Sequence, residues 1–261
     1  MHGYLTRDGI RPAEFTELGR RELPAYGIEM RCVGVTGARP MGNQFAASLS
    51  DGTEVMSRFL LIATGVVDDL PGIPGFDDCY GRTIFHCPYC DGWEQRDKRL
   101  AAFGSGKHGT ALALGLKAWS ADVLLCTNGA ALDRRGRERL DANGIAVREQ
   151  RVAGVEHENG GLRAIRFAGG SRHDGNELVE RDALFFTTGQ HPQSPLAITL
   201  GCQLTRHGTV KTGTLCETNI PRVFVAGDAS RDAQFVVVAA AEGVKAAVAI
   251  NKALQAEDLR A

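Results

Sequence analysis

Four short, largely apolar runs in this 261-residue chain end in a glycine turn, and that repeated device constrains the fold more than any other feature. Phe59–Ile62 runs into Ala63-Thr64-Gly65, and Arg99–Phe103 into Gly104-Ser105-Gly106. Ala183–Phe186 runs into Thr187-Thr188-Gly189, and Val223–Ala226 into Gly227-Asp228. A short continuous apolar run is the pattern of a strand buried on both faces. A glycine at its carboxyl end lets the backbone turn sharply and approach a ligand. The expected class is therefore α/β, with two nucleotide-binding, Rossmann-like, three-layer domains. Two linkers divide the chain: Asp69–Asp78, with Pro71, Gly72, Pro74 and Gly75, and Pro192–Pro195. They predict an inserted domain over 77–191 and one discontinuous domain from 1–76 and 192–261.

Gly104, Gly106 and Gly109 form a dinucleotide fingerprint between a strand and a helix. The first glycine permits the turn, the second admits the pyrophosphate, and the third lets helix pack on strand. The helix N-terminus then faces the anion. A glycine-rich turn without a ligand is the alternative; the strand before and helix after favour binding. The next strand, Val123–Cys126, ends in Thr127-Asn128-Gly129, where an acid for ribose hydroxyls is usual. Neither an acid nor an adjacent arginine is there; Arg134 and Arg135 follow a few residues on. Poor discrimination between NADH and NADPH is expected, with Thr127 and Asn128 at the ribose.

Cys87-Pro88-Tyr89-Cys90, then Asp91-Gly92, lies just ahead of the fingerprint. Zinc would want a second cysteine pair, and Cys79, Cys126 and Cys216 are isolated, so no metal site is expected. Inert buried thiols fit poorly with Pro88 and Asp91 in so short a loop. A redox pair fits best, because thiols at this spacing can close a small ring and a nearby helix N-terminus favours a thiolate. Asp91 can exchange a proton as a thiol leaves, or cap a helix. His86 is a second proton-transfer candidate beside the plainer reading of a loop histidine, and Tyr89 and Trp93 are expected to pack. Gly227-Asp228 is either a capped turn or a carboxylate placed on ribityl or ribose hydroxyls.

Seven scattered cysteines do not form a secreted disulfide framework. No apolar signal segment follows Met1, and Glu242 and Lys245 break the longest apolar stretch, Phe235–Ile250. A cytoplasmic enzyme is expected, with no membrane partner. Thirty basic residues against 31 acidic argue against nucleic acid. Periodicity predicts a helix over 12–26, strands over 28–35, 44–49 and 54–62, a ribbon from 151–156 and 162–167, and a helix over 234–254.

Taken in order, Ile62-Ala63-Thr64-Gly65, Cys87-Pro88-Tyr89-Cys90-Asp91-Gly92, the Gly104 fingerprint, Thr188-Gly189-Gln190-His191-Pro192 and Val225-Ala226-Gly227-Asp228 resemble low-molecular-weight thioredoxin reductases. His86 and Gly92-Trp93-Glu94 look closer to a branch that includes flavin-dependent dithiol oxidases of small natural products. The resemblance implies an FAD domain and an NADPH domain in a homodimer. It implies that Cys90 faces the flavin, Cys87 attacks the external disulfide, and Asp91 is the general acid. By the same match Thr64, Gly65, Gly189, Gly227 and Asp228 bind cofactor, with Asp228 at the ribityl–pyrophosphate and Gln234-Phe235 beside the isoalloxazine. The partner would be a thioredoxin-like protein or a small disulfide or dithiol. The family's opening strand and glycine turn are not found in this sequence, so weak FAD binding is an expectation. The activity expected is NAD(P)H-driven disulfide reduction. Its rivals are oxygen-dependent dithiol oxidation and a non-catalytic nucleotide-binding or redox-sensing remnant.

Overall fold

The computed structural model describes residues 1–169, 176–230 and 233–259. Helix α1 (Pro12–Glu22) begins on Pro12, where a missing N–H costs nothing. One 3-10 turn, Leu23–Tyr26, continues it, and Gly27 ends it at φ 66°. Strands β1 (Val35–Met41), β2 (Gln44–Leu49), β3 (Glu54–Ser57), β4 (Leu60–Ile62) and β5 (Val66–Asp68) follow. Next come α2 (Phe76–Cys79), β6 (Ile84–Phe85), α3 (Pro88–Asp91), β7 (Leu100–Phe103), α4 (Gly106–Leu116) and β8 (Val123–Cys126). After them lie α5 (Arg134–Ala142), β9 (Ala146–Arg148), β10 (Val152–Glu158), β11 (Gly161–Ala168), β12 (Asn176–Glu180) and β13 (Ala183–Phe186). The chain closes with β14 (Gln190–Pro192), α6 (Leu196–Thr199), β15 (Val223–Val225), a 3-10 turn over Gly227–Ala229, and α7 (Val236–Asp258).

The chain divides into two units, Gly3–Val67 with Gln190–Ala261, and Asp68–Gly189. The first division falls after Val67 rather than after 76, because Ile73 and Phe76 pack into the core of the second unit. The second falls after Gly189 rather than after 191.

The Asp68–Gly189 unit is built on a five-stranded parallel sheet in the order β6-β13-β7-β8-β9. Alternate side chains of a strand point to opposite faces. Ala101 and Phe103 of β7 accordingly join Val155, Ile165 and Phe167 of the β10-β11-β12 antiparallel sheet. Leu100 and Ala102 join Ala113 and Leu116 of α4 and Leu140 of α5. Both faces are covered, one by helices and one by the smaller sheet, which gives three layers. The ribbon over 151–167 carries β12 as a third strand that the sequence pattern did not reveal.

The Gly3–Val67 and Gln190–Ala261 unit holds the antiparallel sheet β1-β2-β3, the parallel pair β15-β4, and β14 beside β5. Val223 and Val225 face Ile62, Phe45 and Val210, while Phe224 and Ala226 face Ala246 of α7. Two expected strands are corrected here. The run 28–35 is not a strand; β1 starts at Val35 and reaches Met41. Its register with β2 is set by the two-residue turn Gly42-Asn43, with Met41 opposite Gln44. Pro40 is tolerated because β1 is an edge strand. The run 54–62 is two strands in different sheets, β3 on β2 and β4 on β15.

Candidate active site

Cys87 and Cys90 form a disulfide with Cα atoms 5.3 Å apart. Cys87 stands at the N-cap of α3, Pro88 opens it, and the amides of Cys90 and Asp91 donate to the Cys87 carbonyl at 3.2 and 3.3 Å. Asp91 is the last residue of α3 and caps no helix. Burial pushes its carboxyl above the ordinary carboxylate range, with Glu94 adding to the rise. The residue after Cys90 therefore holds its proton more tightly than an ordinary carboxyl. Gly92 is forced by packing: a Cβ there would run into the Pro88 carbonyl and come within 2.8 Å of Trp119. Tyr89 and Trp93, expected to pack, are 70% and 55% exposed, and Arg96 covers the Trp93 ring at 4.1 Å.

His86 is more than a loop residue. Its Nδ1 lies 3.1 Å from Asp68 Oδ2, and the Asp68 side chain is only 6% exposed. The Tyr80 hydroxyl donates to the same oxygen at 2.5 Å, and burial, then this bond, holds the phenol protonated. A carboxylate on Nδ1 orients the imidazole. Sequence spacing could not reveal the pair, since Asp68 and His86 lie far apart along the chain. The remaining cysteines contrast with Cys87 and Cys90. Cys79, Cys126, Cys202 and Cys216 are buried. Burial pushes the Cys126 thiol up to about 12, and raises Cys79 and Cys202 as well. Thiols held protonated are poor nucleophiles.

In the same unit, parallel pairing of β7 with β8 and β13 brings Gly104, Thr127 and Thr187 to one sheet edge. Gly104 and Gly109 are packing glycines. A Cβ on Gly104 would lie 2.5 Å from Thr187 Cγ2, and one on Gly109 would strike the Gly104 carbonyl. Gly106 differs: at φ 55° it faces open space. Beside it is a cavity of about 330 Å³ lined by Lys107, Thr110, Asp133, Arg135, Gly136 and Arg139, among others. Among the described residues no side chain caps the first turn of α4. An open glycine, free helix N–H groups and three cations suit a nucleotide phosphate.

Thr127 and Asn128, the expected ribose residues, also hold their own turn. The Thr127 hydroxyl donates to the Ala130 carbonyl, and Asn128 Oδ1 accepts from the Val152 amide at 2.9 Å. Both side chains shape the turn at the end of β8. Asp133, not singled out from the sequence although an Asp just ahead of a helix is a capping signal, lines the cavity and caps α5 through the Gly136 amide. Gly189 abuts the linker: a Cβ would lie 2.9 Å from Asp69 Oδ2, and its carbonyl accepts from the Asp69 amide.

The remaining candidates belong to the other unit. Parallel pairing of β4 with β15 puts Thr64-Gly65 and Gly227-Asp228 at one edge. That is where open α/β sheets take ligands. Gly65 has φ 69°, and no atom lies within 4 Å of the place a Cβ would take, so it leaves room for a ligand. Gly227, Ala229 and Ser230 are buried, and Asp228 alone in that turn is half-buried. Gln234 is half-buried and Phe235 38% exposed at the N-cap of α7. These residues fit a second nucleotide, with Asp228 offering a carboxylate to hydroxyl groups.

Comparison with known proteins agrees with this layout. The model of the pyridine nucleotide-disulphide oxidoreductase family matches residues 26–243. The thioredoxin reductase tcpT of Claviceps purpurea is 30% identical over 87% of this chain and 73% of its own. A thioredoxin reductase of Gibberella zeae is 26% identical over 98% of this chain and 85% of its own. The crystal structure of HlmI superposes with a TM-score of 0.92 at 32% identity, covering 100% of this chain and 81% of that one. With two Rossmann-like units and this match across most of its length, the chain belongs to the pyridine nucleotide-disulphide oxidoreductase family and is an oxidoreductase of the thioredoxin-reductase-like kind.

Proposed function

We propose that the chain moves electrons from NAD(P)H through FAD to the Cys87–Cys90 pair, and from there to the disulfide of a thioredoxin-like protein or small molecule. The observation that carries this reading is the Cys87–Cys90 disulfide with the burial-raised Asp91 carboxyl in the next residue. Bound FAD would supply the two-electron link between nicotinamide and disulfide. The Gly104 turn and the cavity cations would hold the nicotinamide nucleotide; Gly65, Gly227, Asp228 and the Gln234-Phe235 pair would hold the flavin nucleotide. Once the pair is reduced, the Cys87 thiolate attacks the substrate disulfide and forms a mixed disulfide. Asp91 donates a proton to the departing thiolate. Cys90 then displaces the second sulfur, so the Cys87–Cys90 bond returns and two substrate thiols leave. The working form is taken to be a cytoplasmic homodimer.

A second reading runs the last step in reverse, with oxygen as the final acceptor. Substrate dithiol and oxygen become substrate disulfide and hydrogen peroxide. The His86–Asp68 pair favours it, because a dithiol must lose protons before it attacks a disulfide. Anaerobic mixing of flavin-loaded protein with NADPH, and separately with a dithiol, tests both. Bleaching by NADPH followed by thioredoxin reduction supports reduction; bleaching by dithiol alone, with peroxide formed on admitting air, supports oxidation.

A further inference from the structure

We propose that Glu242 is the positioning residue of the Gly227–Asp228 turn, and through it of the flavin nucleotide that Asp228 holds. The proposal rests on the reading of Asp228 given above. Helix α7 runs Val-Val-Val-Ala-Ala-Ala ahead of Glu242, and the acid is 4% exposed within it. A buried carboxyl group is costly unless it accepts hydrogen bonds. Its Oε2 accepts from the Gly227 amide at 2.8 Å, and the Ser230 hydroxyl lies 3.2 Å from the same oxygen. One oxygen of α7 therefore grips the first residue of the turn and the residue after it.

The turn needs such a grip. Gly227 sits at φ 79°, a left-handed conformation. Its carbonyl accepts from the Ser230 amide at 2.9 Å, which closes the turn on itself. That bond fixes the loop's curvature but leaves the buried Gly227 N–H to be satisfied from elsewhere, and Glu242 satisfies it. The Glu242 carbonyl in turn lies 3.6 Å from the Cys216 sulfur. The residue carried at the crown of this clamped turn is Asp228. Glu242 is placed to set where that carboxylate stands without touching the nucleotide itself.

The test compares wild type, E242A, E242Q and D228N. FAD is titrated by quenching of flavin fluorescence, NADPH is titrated separately, and thermal melting reports folding. E242A should lose FAD affinity by tenfold or more, about 1.4 kcal/mol, with NADPH affinity unchanged. E242Q keeps an acceptor oxygen for the Gly227 amide and should recover most of the loss. If E242A does not fold, E242Q and S230A carry the test, S230A losing FAD affinity a few-fold. Wild-type FAD affinity in D228N, or no FAD binding by wild type, removes the reading of Asp228 and the proposal with it. A weakened D228N beside an E242A of wild-type affinity overturns the positioning role alone. So does an equal loss of NADPH affinity in E242A, or an E242Q no better than E242A.

Discussion

At the scale of single residues, the proposed reaction is divided between Cys87, Cys90 and Asp91. A Cys87→Ser variant should lose turnover by at least a thousandfold yet keep any flavin absorbance, while Cys32→Ser, an exposed cysteine outside the pair, should be nearly silent. Thiol counting alongside a reduction assay checks this; full activity in Cys87→Ser would end the dithiol mechanism. Asp91 makes a prediction in pH. Burial raises its folded-state pKa, so the proton is held to higher pH than an ordinary carboxyl allows, about 3.9. Turnover should fall as pH climbs through that raised value, and Asp91→Asn should be slow and lack that limb. Stability follows the same sign. A raised folded pKa stabilises at low pH and is a liability once the group ionises, so Asp91→Asn should melt no lower than wild type at neutral pH. An unchanged pH profile in Asp91→Asn would remove Asp91 from the chemistry. The pair of cysteines and the acid were legible in sequence because they are contiguous. The His86–Asp68–Tyr80 cluster was not, because only the folded backbone brings those three together.

At the scale of elements, the βα turn after β7 separates glycines that serve packing from one that faces open space. Gly104→Ala forces a Cβ to within 2.5 Å of Thr187, so it should destabilise the Asp68–Gly189 unit by roughly 1–3 kcal/mol, the usual cost of overpacking. Gly106→Ala meets no atom and carries only the left-handed strain of about 1–2 kcal/mol, while its methyl occupies the space beside the cavity. Gly106→Ala should therefore weaken NADPH more than its melting temperature falls, and Gly104→Ala the reverse. Calorimetric melting and nucleotide titration on both variants decide it; identical behaviour would show that the turn does not approach a nucleotide. The cavity cations extend the argument. Lys107, Arg135 and Arg139 form no ion pair among the described residues. We propose that they select for the extra phosphate of NADPH, where the sequence expectation is little discrimination. An exposed cation contributes about 1 kcal/mol or less, so Arg135→Ala with Arg139→Ala should cost roughly tenfold for NADPH and little for NADH. Equal losses would return the site to the sequence expectation. The glycine turns were readable because each follows a fully apolar strand. The strand placed over 28–35 was not, because Val35 already pairs with Leu49, the last residue of β2, so the register of the hairpin ends the ladder there.

At the scale of the molecule, each unit has its own core, and the two cores differ in kind. The five strands of the Asp68–Gly189 unit are covered on one face by α4 and α5 and on the other by β10-β11-β12. The parallel sheet of the other unit is the pair β4-β15, with smaller buried clusters on its two faces. Apolar burial contributes about 25 cal/mol per Å², so the broader, doubly covered sheet should hold its backbone amides longer. Hydrogen exchange on nucleotide-free protein should protect β7, β8 and β13 most, and β4 and β15 less. FAD at about 100 times its dissociation constant adds about 2.7 kcal/mol to whatever fold it binds. If Gly65, Gly227 and Asp228 form its site, FAD should slow exchange in β4, β15 and the Gly227–Ala229 turn and leave β7 and β8 unchanged. NADPH should slow the start of α4 and leave β15 unchanged. Equal slowing of both units by FAD, or slowing at α4 alone, would place the flavin nucleotide elsewhere than at the β4–β15 edge.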